Sequence, residues 1–227
     1  MRTCAKVPKM RAMNPGPLKV VCFAVKEEAR SFTRVASQRP DTSVLLTGMG
    51  ARNARRTTEG ALAGGKPGVV LSAGFAGGLR PELVTGDVVF SAEEVPELAK
   101  RLESAGAKPA KFLCVERVAA TAGQKRALRE QTGADAVEME SQVIRAICKE
   151  KGVPSATVRV ILDTANEDLP LDFNALMTQD QKLDGRKLAW ALIKSPAKVV
   201  ALLRLQKQSA AAAGQLAKVL EQILPPA

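Results

Sequence analysis

The chain has 227 residues, 46% of them hydrophobic and 25% charged, so one globular unit with a real core is expected and global disorder is excluded. Aromatics make up only 3%, which leaves little for base stacking, and the absence of His removes His general bases, His-paired nucleophiles and His-ligated metals. Lys and Arg outnumber Asp and Glu by 34 to 23, a net charge of +11 that favours anionic partners, but no basic–aromatic interleaving points to nucleic acid, and no nucleic-acid partner is expected.

Residues 1–17 are basic, contain Pro8, Pro15 and Pro17, and lack the apolar block of a signal peptide; they read as a loose tail. Residues 18–25 read as a buried strand, and Lys26-Glu27-Glu28 opens a helix with acids in its first turn. Residues 43–48 form a second strand, Gly48–Gly50 a turn and 51–63 a helix. Residues 69–73 are a third strand, followed by a glycine-rich turn over Gly74–Gly78. Gly86-Asp87 leads into a fourth strand, and Val95, Leu98, Ala99 and Leu102 mark a helix by their spacing. Strands are expected at 112–119, 134–138 and 155–162, with helices over 122–132 and from Met139 onward. Beyond a loop at 166–170, residues 172–194 read as helical, Ser195-Pro196 as a helix start, and a last helix runs to about Leu224. Cys4, Cys22, Cys114 and Cys148 are isolated, so no zinc spacing exists; Cys22 and Cys114, in apolar strand-like runs, read as buried small hydrophobes in a reducing cytoplasm.

Continuously apolar strands alternating with helices describe an α/β layered domain whose sheet is covered on both faces. The expected organisation is a basic tail (1–17), an α/β domain (18–171) and a C-terminal helical extension packed on it (172–227). Ligands of such folds sit at the carboxyl ends of strands. Glu28, the Gly74–Gly78 stretch, Glu138 to Glu140 and Asp163 all follow expected strands. Each also serves as an ordinary cap or turn residue.

Among these, Gly74 and Gly77 let a ligand approach backbone. Glu138 and Glu140 flank Met139: carboxylates accept from the vicinal hydroxyls of a ribose, and Met offers an adaptable apolar surface, although the same acids also complement a helix N-terminus. Asp163 ends an apolar strand, where a carboxyl resists ionising and can act as a general acid, or simply caps the loop. Arg159, inside VRVIL, needs a buried partner such as Glu28, or else points outward at a sheet edge. The G-M-G-A-R-N run at 48–53 lacks the third glycine of a dinucleotide fingerprint and reads as a tight turn.

AVKEEAR (24–30), LLTGMGARNA (45–54), SAGFAGGLRPELVTGDVVF (72–90), ADAVEMES (134–141) and TVRVILDTA (157–165) together resemble the nucleoside phosphorylase/nucleosidase superfamily, near its methylthioadenosine/S-adenosylhomocysteine nucleosidases. The tail from LDGRKLAW onward is similar to a hopanoid-biosynthesis-associated branch implicated in removing adenine from adenosylhopane. The resemblance implies a three-layer α/β/α fold with a central mixed, mostly parallel sheet, no cofactor or metal, and a dimer or larger. It implies Glu28 as the acid that activates water and Arg159 beside that water. Met139 and Glu140 fall at the ribose, Gly74, Gly77 and Glu138 around the purine, and Asp163 at purine N7. Phe75 stands at the water site where the family pattern has Ser, and Leu162 precedes Asp163 where Ser is common. No glycine-proline loop follows the first strand, which favours hydrolysis over phosphorolysis, although arginines near residue 52 keep the latter open. The basic, apolar C-terminal helices are expected either to pack on the sheet or at a dimer contact, or to meet an anionic membrane and admit a lipid-linked nucleoside.

Overall fold

The computed structural model describes residues 17–178, positions 180, 184, 185 and 187, and residues 197–224. The expected basic tail, most of the helix at 172–194 and the Ser195-Pro196 start lie outside the described residues.

Eight strands make one mixed sheet: β1 (Lys19–Phe23), β2 (Thr42–Leu46), β3 (Val69–Gly78), β4 (Val88–Ser91), β5 (Lys108–Pro109), β6 (Phe112–Cys114), β7 (Ala136–Glu138) and β8 (Ser155–Asp163). Their order is β2-β1-β3-β8-β4-β5, with β7 pairing both β3 and β6. Pairing is parallel except where β4 meets β8 and where β7 meets the end of β3. The helices are α1 (Lys26–Ala36), α2 (Gly50–Ala63), α3 (Pro96–Ser104), α4 (Ala122–Thr132), α5 (Ser141–Glu150), α6 (Phe173–Leu176) and α7 (Ala197–Ile223). This is the expected three-layer α/β fold.

Alternation along the strands builds the layers, because successive side chains point to opposite faces. Val21 and Phe23 pack with Phe32 of α1 and with Leu216 and Leu220 of α7. Val20 and Cys22 face the other way, against Ala54 and Leu62 of α2 and Ile144 and Ile147 of α5. Helix α1 buries Ala29, Phe32 and Ala36, a stripe at helical spacing. The C-terminal half of α7 therefore completes the same core as β1, and Leu216 is fully buried. No described helix is long and apolar enough to cross a membrane.

Two expectations need correction, and one strand was not foreseen. The glycine-rich stretch is not a turn: β3 continues through Gly78, because small residues let β8 and α1 close in on it. The strand expected over 112–119 stops at Cys114. After Val115 the chain leaves the sheet and is pinned by Asn174, which accepts from the Val118 N–H (2.8 Å) and donates to its carbonyl (2.9 Å). The two-residue strand β5 carries no apolar signal, since Lys108 and Pro109 are both exposed.

Candidate active site

Helices α1, α2 and α5 each begin beside the carboxyl end of the sheet; Glu28 lies in the first turn of α1, and Glu138 and Glu140 just precede α5. Glu28 is the third residue of α1 and folds back over its start. Its Oε2 accepts from the N–H groups of Ala24 (2.9 Å) and Val25 (3.2 Å), and its Oε1 accepts from the Phe75 N–H on β3 (2.8 Å). Glu28 thus closes the start of α1, as a helix cap does. Phe75 holds Glu28 by its backbone, so this contact does not depend on the Ser that its side chain replaces. Burial pushes the Glu28 carboxyl above its ordinary range, while Arg159 and the three N–H groups pull it back.

Arg159 sits in the middle of β8, and its side chain is 2% exposed. Its direct partner is not Glu28, as expected from sequence, but Glu138: Nη2 lies 2.6 Å from Glu138 Oε2 and 3.7 Å from Glu140 Oε2. Glu28 is held instead by the three backbone N–H groups of Ala24, Val25 and Phe75. Nη2 also donates to Ser72 Oγ (3.1 Å), whereas Nε and Nη1 have no acceptor among the described residues.

Glu138 is committed to structure. Its Oε2 accepts from the N–H groups of Glu140 (3.0 Å) and Ser141 (2.8 Å), and its Oε1 from Ser141 Oγ (2.8 Å), so it caps α5. Burial works to raise this carboxyl, but Arg159 and the N–H donors outweigh it and hold Glu138 below the usual carboxylate range. Glu140 behaves oppositely. Its Oε1 accepts from the Gly50 N–H at the start of α2 (2.7 Å). Burial, opposed by Arg159 and reinforced by Glu138 and Glu28, pushes Glu140 up to about 7.

Asp163 closes β8. The β3–β8 register shifts between Ala76 and Gly77, so Gly77 stands opposite Asp163. A Cβ on Gly77 would lie 3.3 Å from Asp163 Oδ2, and one on Gly74 would lie 2.7 Å from Glu28 Oε1. Gly74 also has φ +154°, a conformation that side chains disfavour. The Asp163 carboxylate pairs with Lys125 of α4. Burial pushes Asp163 up, against the pull of that cation.

Glu28, Phe75, Gly77, Glu138, Met139, Glu140 and Asp163 border one cavity of about 450 Å³. Gly74 and Arg159 are not on its surface: Gly74 backs Glu28, and Arg159 reaches the wall through Glu138 and Glu140. The rest of the wall is mostly apolar. Met49 comes from the turn before α2, Val115 and Val118 from the segment that leaves the sheet, Phe173 and Met177 from α6 and beyond, and Leu205 and Ser209 from α7. Sequence reasoning passed over these wall residues and Lys125, because an apolar loop residue and a helix lysine carry no chemical signature. The charged groups among the lining residues, which include Glu27, are all acidic. Arg52 pairs instead with Asp180 (3.1 Å) and Arg55 with Glu59 (3.4 Å), both exposed on α2.

A cavity bordered by three carboxyls pushed up, Glu28, Glu140 and Asp163, can take a proton at one point and deliver one at another. Carboxylate acceptors and an apolar surface suit a nucleoside.

A family model described as the phosphorylase superfamily matches residues 12–97 and 96–194. A 5'-methylthioadenosine/S-adenosylhomocysteine nucleosidase of Shewanella halifaxensis is 27% identical over 176 residues, covering 62% of this chain and 76% of the relative. The solved 5'-methylthioadenosine/S-adenosylhomocysteine nucleosidase of Helicobacter pylori superposes with a TM-score of 0.66 at 17% identity, over 92% of this chain and 98% of the other. The futalosine hydrolase of Helicobacter pylori strain 26695 superposes with a TM-score of 0.62 at 17% identity, over 89% and 97%. At these identities the two superpositions speak for the fold, and the relatives and neighbours named are nucleosidases.

Proposed function

Because the chain belongs to the phosphorylase superfamily, we propose that it is a nucleosidase that hydrolyses the N-glycosidic bond of an adenosine carrying an uncharged, apolar 5' substituent, with adenosylhopane as the substrate. One observation carries this reading: Glu28, Glu140 and Asp163, far apart in sequence, border a single cavity whose remaining wall is largely apolar.

In this reading Asp163 donates a proton to purine N7 as the C1'–N9 bond breaks and its electron pair passes to the base. Adenine leaves neutral and an oxocarbenium-like ribose remains. Water adds to C1' from the opposite side, and its proton goes to Glu28. Glu140 accepts from the ribose hydroxyls, and Met139 packs against the sugar. Arg159 stands behind the wall rather than beside the water and acts on the site through Glu138 and Glu140. Each general acid or base role is worth on the order of a hundredfold or more in rate.

The acidic wall supports water over phosphate, since an anion would meet carboxylates with no described basic residue on the surface. It also disfavours a substituent with its own carboxylate, as in S-adenosylhomocysteine. Leu205 and Ser209 bring α7 to the cavity, and toward its N-terminus the same helix exposes Val199, Val200 and Leu203, apolar residues suited to contact with lipid. The kinship with methylthioadenosine nucleosidases supports a second reading, in which 5'-methylthioadenosine is the substrate.

Adenine release from adenosylhopane, 5'-methylthioadenosine and S-adenosylhomocysteine, each with and without phosphate, tests the proposal. Phosphate-independent release with the highest kcat/KM on adenosylhopane is expected. A phosphate requirement overturns hydrolysis, a higher kcat/KM on S-adenosylhomocysteine overturns the apolar preference, and no adenine from any of them overturns the enzymatic reading.

A further inference from the structure

Lys125 is a fully buried charge among the described residues. It sits in the first turns of α4, a helix fastened by the Thr121–Gln124 capping box, and its residue is 0% exposed. A lysine is almost never fully buried unless it is paired. Here Nζ donates to the carbonyls of Thr164 (2.7 Å) and Glu167 (2.7 Å) and pairs with Asp163, so its three donors meet three acceptors. All three belong to the end of β8 and the loop just beyond it. The loop is tied to the same helix start twice more. Asp168 Oδ1 accepts from the Ala122 N–H (2.7 Å), and the Leu169 N–H donates to the Ala120 carbonyl (2.8 Å).

We propose that Lys125 is a positioning residue for the Asp163 carboxyl: it fixes the acid at the cavity wall and stabilises the carboxylate left behind when the proton passes to the leaving base. This rests on the reading of Asp163 as the general acid. An acid with no cation beside it in a dry site holds its proton too tightly to give it up, and an acid facing a cation in water has lost it already. Burial and Lys125 act on Asp163 in opposite directions, and burial prevails. The other charged group facing Asp163 is Glu167, from the loop, which opposes the lysine; its carboxylate is held by the Thr164 N–H (2.9 Å).

The test compares wild type, Lys125→Met and Lys125→Arg with 5'-methylthioadenosine as the probe. In Lys125→Met the carboxyl becomes a weaker acid. Its kcat is expected to fall roughly tenfold to a hundredfold with KM nearly unchanged, and the alkaline limb of kcat to move up by about one pH unit or more. Lys125→Arg keeps the cation and is expected to keep the wild-type limb. A residue that only braced the loop would lower stability and rate without moving the limb.

Infrared titration of the protonated carboxyl band, assigned by its loss in Asp163→Asn, reads the same shift without substrate. An unmoved midpoint in folded Lys125→Met overturns the proposal. If Lys125→Met does not fold, Lys125→Gln, which is neutral but still donates hydrogen bonds, is held to the same midpoint criterion. Wild-type activity in Asp163→Asn overturns the general-acid reading instead, and the infrared midpoint then still decides whether Lys125 controls Asp163.

Discussion

Gly77 of β3 faces Asp163 of β8 across a ladder that slips by one residue just before them. The slip turns Asp163 toward the cavity, and the missing side chain leaves room for its carboxyl. A Cβ at Gly77 would lie 3.2 Å from Val137 Cγ1 as well as 3.3 Å from Asp163 Oδ2. Gly77→Ala is therefore expected to cost about 1–3 kcal/mol of stability and to lower kcat by more than its effect on KM. Gly74→Ala, with contact to Glu28 at 2.7 Å and an unfavourable φ, is expected to be worse on both counts. Chemical denaturation alongside steady-state kinetics checks the ranking.

Asp163→Asn and Glu28→Gln preserve side-chain shape but remove the proton donor and the proton acceptor. Each is expected to lower kcat at least about a hundredfold while the circular dichroism spectrum stays that of wild type. Near-wild-type turnover in either variant removes that residue from the mechanism.

Glu140 ties binding to pH. Below about 7 its carboxyl is protonated and accepts poorly from two hydroxyls, so kcat/KM is expected to fall through that region. Glu140→Gln is expected to raise KM at pH 8 about tenfold or more and to abolish the component near pH 7. Stability moves the other way. The folded-state pKa is raised, so the stability tied to this carboxyl is full below its ordinary value of 4.5 and is lost as pH rises through about 7. Thermal melts of Glu140→Gln are therefore expected to show a higher Tm than wild type at pH 8 and little difference at pH 4.

Glu138 is expected to matter for folding more than for binding. Removing it strands the Arg159 guanidinium, which is 2% exposed, and frees the start of α5. Glu138→Ala is expected to cost about 3–5 kcal/mol, measured by urea unfolding. A loss below about 1 kcal/mol would falsify the account of this ion pair.

Leu205 tests the apolar end of the cavity. Leu205→Glu adds a further acid to the wall without touching Glu28, Glu140 or Asp163. The variant is expected to lose kcat/KM on substrates with a long apolar 5' group far more than on 5'-methylthioadenosine. Equal losses on both place the substituent elsewhere.

Local order was readable from residues alone. The helix expected over 122–132 is α4, Ala122–Thr132, because its limits are written in adjacent residues: the Thr121–Gln124 box at one end and left-handed Gly133 at the other. The strand ending at Asp163 and the helix opening at Lys26 follow equally from runs of apolar residues and from acids in a first turn. The candidate acids were also found in sequence, since carboxylates after apolar strands stand out. What stayed hidden depends on contact between distant segments. The run from Gly74 to Gly78 looks like a bend in isolation, and only Glu28 and Asp163 pressing on it explain why those glycines belong to a strand. Arg159 announces that it needs an acid but not which one; that Glu138 rather than Glu28 comes within reach of Nη2 is decided only when β7 and β8 are assembled. Lys125 reads as a solvent-facing helix lysine until the end of β8 is folded over it. Hydrophobic period and capping act over a few residues and so survive in a linear string, whereas charge pairing, desolvation and cavity shape act through space and exist only once the layers are assembled.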